Sequence, residues 1–143
     1  MYSHQLYDVV PDLRQPIDNP DILIIEGLNI LQTGGVVEQG RSHVFVSDFI
    51  DFSIFVNSDE PLIKKWFVDR ILKFCEGPFK DPAAYFHYLS QMREAEVRDV
   101  ADQTWETING LNLRENILPF KNRADLIINK ASNHAVTSIQ LKK

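Results

Sequence analysis

The sharpest chemical signal is a carboxylate at the end of an apolar run, Asp21 to Leu31, DILIIEGLNIL. Ile and Leu packed this densely read as a strand buried on both faces, as in a parallel sheet flanked by helices. Glu26-Gly27 closes the run, a charge followed by a residue that lets the chain turn. A carboxylate at the C-terminal end of such a strand sits where parallel sheets bind ligands. In nucleotide kinases that place usually serves Mg²⁺ or its water shell. A Gly-rich phosphate loop should accompany it, yet only twenty residues precede the strand. Residues 35–42, GVVEQGRS, imitate the loop's spacing. Arg41 replaces its lysine, Glu38 would face the phosphates and a β-rich stretch follows instead of a helix, so a surface loop is expected there.

Further side chains with chemical potential are scattered. Arg70 lies amid Phe67, Ile71 and Phe74 on a helical pattern, which suggests a position facing a cleft, against the plain alternative of a solvated helix face. Asn109 before Gly110 reads as an αL helix stop and also as a hydrogen-bonding side chain. His4 by itself is a solvated loop residue, and His134 a surface residue at a strand end. Phe74, Phe79, Tyr85 and Phe86 form an aromatic set that could equally be ordinary core.

These residues need a frame. Residues 1–20 hold three prolines and no period, and read as irregular loop. Residues 32–43 form a second loop. In residues 43–56, HVFVSDFIDFSIFV, Asp48 and Asp51 mark a break and Phe52 to Val56 a second buried strand. NSDEP at 57–61 starts a helix capped by Ser58 or Asp59, which runs to about Cys75 and stops at Gly77-Pro78. Asp81-Pro82 opens a short helix bearing Tyr85, Phe86 and Tyr88, and Glu94 to Ile108 forms another, ended by Asn109-Gly110. RADLIINKA and AVTSIQLKK read as two more strands. The order predicts an α/β layout with a mixed or parallel sheet in one domain.

Composition narrows the function. The chain has 143 residues, 44% of them hydrophobic and 24% charged, which suits one soluble domain. A net charge of −5 without a basic cluster argues against nucleic acid. The single Cys75 excludes a disulfide framework and suits a reducing compartment. No apolar run approaches the roughly 20 residues of a membrane span, and the N-terminus lacks signal-peptide character. A cytoplasmic protein without membrane contact is expected.

Taken together, YSHQLYD (2–8), PDILIIEGLNIL (20–31), VFVSDFIDFSIFV (44–56), FVDRILKF (67–74), DPAAYFHY (81–88) and INGLNLRENILPFKNRADLIINKASNHAV (108–136) resemble the C-terminal part of bacterial type I pantothenate kinase. NLRENILP followed by SNHAV is specific; a uridine kinase would share the fold without these motifs. The resemblance implies a P-loop kinase fold, a three-layer sandwich on a mainly parallel sheet. It implies transfer of the ATP γ-phosphate to pantothenate with Mg²⁺, and feedback inhibition by CoA. It further implies that the phosphate-loop Lys and Ser and the catalytic base lie before the region matching Met1. The isolated chain is therefore expected to be inactive. A pantothenate- or CoA-binding module and a truncated remnant are the alternatives.

Residue by residue, the resemblance assigns Tyr2, His4 and Tyr7 to the pantothenate and CoA pocket and Arg70 to the substrate and ATP phosphates. Asn109 would hydrogen-bond pantothenate, and His134 would lie near the adenine. Phe74, Phe79, Tyr85 and Phe86 would wall the pantetheine arm of CoA, and Glu26 would serve the metal and phosphate region. Phe67 stands where the family pattern WYxxR has a tyrosine, here WFVDR. The family also allows a homodimer.

Overall fold

A computed structural model describes residues 2–3, 8–11, 14–34 and 44–142. The chain divides into two compact units, Met1–Ile25 with Lys65–Thr104, and Glu26–Lys64 with Trp105–Lys143.

In the first unit, β1 (Tyr2–Ser3) and β2 (Asp8–Val9) pair antiparallel, Tyr2 opposite Val9. Helix α1 (Glu60–Glu76) begins in the second unit and continues into the first. Its leading residues follow the expected start: the Leu62 and Ile63 N–H groups donate to the Asp59 carbonyl at 2.9 and 3.1 Å. Gly77-Pro78 ends it, since proline has no N–H to continue the ladder. The helix expected from Asp81-Pro82 is instead a series of turns leading to a 3-10 segment, His87–Gln91. Here the Asp81 carboxylate accepts from the Ala83 N–H at 2.9 Å, a local bond that favours a turn. Helix α2 (Glu94–Thr104) completes the unit. Among the described residues, Val68, Leu89, Val97 and Ala101 are its buried apolar side chains.

In the second unit, β3 (Ile54–Asn57), β4 (Leu126–Lys130) and β5 (Val136–Leu141) form one sheet in that order. The β3–β4 pair is parallel, Ile54 opposite Leu126 through Asn57 opposite Asn129; β4–β5 is antiparallel. The described sheet is thus α/β but mixed, not mainly parallel. β4 and β5 are adjacent in sequence, and a short loop can join only antiparallel neighbours. Among the described residues, Trp105, Leu113 and Ala124 are this unit's buried apolar side chains.

Three further expectations are corrected. Residues 22–27 join no described strand, although their sequence is strand-like. Ile22 and Ile24 are 81% and 88% exposed, and Leu23, Ile25 and Leu28 are exposed as well. A strand needs a neighbour to take up its backbone donors and acceptors, and no described residues offer one to this segment. β3 is half-exposed in place of buried: Ile54 and Val56 face solvent while Phe55 does not. Lastly, Asn109-Gly110 stops nothing. The helical path continues from α2 through a π turn (Trp105–Asn109), α3 (Gly110–Asn112), a second π turn (Leu113–Ile117) and a 3-10 segment (Leu118–Arg123). Asn109 has α-helical φ/ψ of −72° and −44°, so the left-handed stop is not formed. The mimic phosphate loop at 35–42 lies outside the described residues.

Candidate functional site

In the second unit, polar side chains collect where the parallel strands β3 and β4 end. β3 finishes in Asn57, β4 carries Asn129 one residue before its end, and register sets the two side by side. Asn57 donates to the Asn129 side-chain oxygen at 2.7 Å, and Asn129 donates to Ser138 Oγ on β5 at 2.9 Å. The Ser58 hydroxyl donates to the Lys130 carbonyl at 3.0 Å, and the Thr137 hydroxyl to the Asn129 carbonyl at 3.1 Å. The row ties three strands together at one end of the sheet. That end is where open α/β sheets take ligands.

The loop between β4 and β5 carries His134. Its ring closes by Ala131 N–H to the Ala135 carbonyl and His134 N–H to the Ala131 carbonyl, both 2.9 Å. Asn133 accepts from the Ala135 N–H at 3.1 Å. His134 has a φ of 65°, a left-handed conformation rare outside glycine, though His is enriched among the exceptions. It is an exposed residue of a hairpin loop, close to the strand-end position expected.

Glu26 is exposed, and the turn that follows it is anchored to the helical path beyond Asn109. Asn112 donates to Asn29 at 3.4 Å, Gln32 donates to Asn116 at 2.9 Å, and Asn29 donates to Gln32 at 2.8 Å. Arg114 pairs with Glu60 in the first turn of α1. Sequence reading missed this clamp, because its members are 54 and more positions apart. Asn109 itself is half-buried and makes no capping hydrogen bond.

In the first unit, the expected aromatic set does assemble. Phe74 and Phe79 meet edge-to-face with centroids 5.4 Å apart, Phe79 and Phe86 stand 5.4 Å apart, and Tyr85 and Phe86 stand 4.9 Å apart at 86°. Tyr88 joins Phe86 at 6.4 Å. Phe74, Tyr85 and Tyr88 remain exposed, so the cluster is not plain core. His87 Nδ1 lies 2.9 Å from the Phe79 carbonyl and braces the arrangement. Arg70 is exposed on α1, and Phe67 is half-buried one turn earlier. His4, Tyr7 and the Tyr2 side chain lie outside the described residues.

Among the described residues no group of three or more His, Cys, Asp and Glu side chains is placed to hold a metal ion. Glu26 offers a single carboxylate. One carboxylate fits Mg²⁺ held chiefly by phosphates and water, and does not fit a cage built by protein.

The chain aligns along all 143 residues with curated proteins named pantothenate kinase. Identity is 52% to the protein of Sodalis glossinidius, 51% to that of Cronobacter sakazakii and 52% to that of Yersinia pestis. The chain matches the C-terminal part of the pantothenate kinases. It spans 45% of the length of each of these relatives. No protein-family model matches it. The pantothenate kinase resemblance drawn from YSHQLYD, NLRENILP and SNHAV thus holds along the whole chain. No helix among the described residues is long and apolar enough to cross a membrane.

Proposed function

We propose that this chain forms the acceptor side of an ATP-dependent pantothenate kinase, which phosphorylates the pantothenate hydroxyl in the first step of coenzyme A synthesis. The observation that carries the reading is 51–52% identity over all 143 residues to proteins of that name. The 143 residues belong to one catalytic domain of P-loop kinase fold, working in the cytoplasm as a homodimer.

In this reading Tyr2, His4, Tyr7, Phe67 and Asn109 bind pantothenate. A half-buried carboxamide both donates and accepts, so Asn109 can meet a hydroxyl and an amide of the acceptor together. Arg70 meets the phosphates: a permanently charged planar fork suits charge spread over equatorial phosphoryl oxygens. His134 stacks or hydrogen-bonds at the adenine of ATP. Glu26 orients the water shell of Mg²⁺, which when bound neutralises charge on the phosphates. The aromatic group of Phe74, Phe79, Tyr85 and Phe86 presents ring edges and faces to the pantetheine arm of CoA, the feedback inhibitor.

In-line phosphoryl transfer also needs a phosphate cradle with its lysine, and a base for the acceptor hydroxyl. The sequence contains no G-x-x-x-x-G-K-[ST], the nearest approach being GVVEQGRS at 35–42. The 143 residues alone are therefore expected to bind pantothenate or CoA and to turn over negligibly. The test compares pantothenate phosphorylation by the 143-residue chain with that by a longer product containing the phosphate loop. Turnover by the longer product that falls on Arg70→Ala supports the reading. Full turnover by the 143 residues alone would overturn the division of labour, and no pantothenate phosphorylation by either would overturn the function.

A further inference from the structure

Asn109 is followed by glycine, and in sequence the pair looks like a helix terminator. The structure gives the glycine a different task. Gly110 is buried within a continuing helical path, directly after the π turn Trp105–Asn109. A Cβ at Gly110 would stand 2.7 Å from Trp105 Nε1, 3.1 Å from Trp105 Cδ1 and 3.0 Å from the Trp105 carbonyl oxygen. The indole, only 4% exposed, thus occupies the space that a side chain at 110 would need.

The carbonyl contact is diagnostic of the π geometry. Residue 105 is five positions before 110, the spacing of a π turn's hydrogen bond. A methyl group at 110 crowds both the indole and that carbonyl, and tightening to an α turn relieves the second contact. Such a change deletes the one extra residue that the π turn accommodates. At 3.6 residues per turn, one residue is about 100° of rotation along the helical path. The part after the π turn is held by Asn112 to Asn29, Arg114 to Glu60 and Gln32 to Asn116. With that end clamped, the rotation falls on the turn itself, whose last residue is Asn109.

We infer that Trp105 and Gly110 are positioning residues for Asn109: the indole packed on the bare Cα keeps the π turn open, and the π turn sets where the Asn109 carboxamide points. The assignment of that carboxamide to pantothenate rests on the function proposed above; the positioning does not. It also accounts for glycine after Asn109 in a helix that does not end there, and for the absence of a capping bond from Asn109.

The test uses the ¹⁵N-labelled 143-residue chain, reading the side-chain NH₂ signals of Asn109, Asn29 and Asn116 and the Trp105 indole N–H, with and without pantothenate. In Gly110→Ala the Asn109 and Trp105 signals are expected to move while Asn29 and Asn116 keep theirs, and pantothenate affinity is expected to fall at least about tenfold. Should Gly110→Ala lose its folded spectrum, Trp105→Phe, which removes Nε1 and leaves Gly110, decides by the Asn109 signals, expected to move while those of Asn29 and Asn116 stay. Asn109 signals that stay at their wild-type positions in a folded variant overturn the inference. Asn109 signals that move on substitution but ignore pantothenate in the wild type leave the positioning standing and overturn the substrate assignment.

Discussion

The Ser53 hydroxyl and the Ser53 backbone N–H both donate to the same Asp125 carboxylate oxygen, at 2.7 and 2.8 Å. The Asp125 N–H donates back to Ser53 Oγ at 3.1 Å. Each residue immediately precedes its strand, so this exchange locks the parallel register of β3 on β4 at its first rung. These bonds to Ser53, the side chain's first and the backbone's second, hold the Asp125 carboxyl below its ordinary range. A depressed carboxylate stabilises the fold above its unfolded pKa, and that contribution is lost as pH falls through the folded value. Asp125→Asn should therefore be less stable than the wild type at neutral pH, with the difference closing in acid. Urea unfolding across pH 2 to 7 measures it; a pH-independent difference would contradict the mechanism.

Gly110→Ala should destabilise the chain, against the usual trend. Alanine is ordinarily favoured over glycine in a helix interior by about 1 kcal/mol. Here the contacts of 2.7 and 3.0 Å that a Cβ would make reverse the sign. Trp105→Ala, which empties a buried indole site, should cost about 3–5 kcal/mol, a large share of a typical domain's stability. Thermal unfolding of both variants provides the check.

Arg114 and Glu60 join the first turn of α1 to the second π turn, but both side chains are partly exposed. Pairs of that kind contribute about 0.2–1 kcal/mol and weaken in salt. Arg114→Ala is expected to lower stability within that range, with the loss shrinking at 1 M NaCl. A loss of several kcal/mol, insensitive to salt, would give the pair a different role.

Restoring the family tyrosine at 67 is expected to tighten pantothenate binding several-fold. The added hydroxyl supplies a hydrogen bond of about 0.5–1.5 kcal/mol. Calorimetric titration of Phe67→Tyr, in a longer product containing the phosphate loop, decides the point; equal or weaker affinity would rule it out.

The apolar segment from Ile22 to Leu28 is exposed, so the 143-residue chain should bind a hydrophobic dye strongly. Ile22→Lys with Ile24→Lys should lower dye binding without loss of helical signal. Dye binding unchanged by the pair would place the exposed surface elsewhere.

The sequence by itself determined a good deal. The helix start at 57–61, its stop at Gly77-Pro78 and the two final strands follow from local chemistry, which reads correctly without neighbours. The motifs from YSHQLYD to SNHAV carried the relationship to pantothenate kinases, because side chains at fixed spacing survive as a pattern in one dimension. Tertiary structure decided the rest. DILIIE has strand composition, yet a strand exists only where another backbone answers its hydrogen bonds, and no described residues do so for 22–27. Asn109-Gly110 has the composition of a helix stop, yet the burial of Trp105 against Gly110 carries the helix onward through a π turn. Asn57, Asn129 and Ser138 became one polar row only once strand register had brought positions 72 and 9 apart into hydrogen-bonding range. In each case a local preference of about 1 kcal/mol or less yields to packing and pairing worth more.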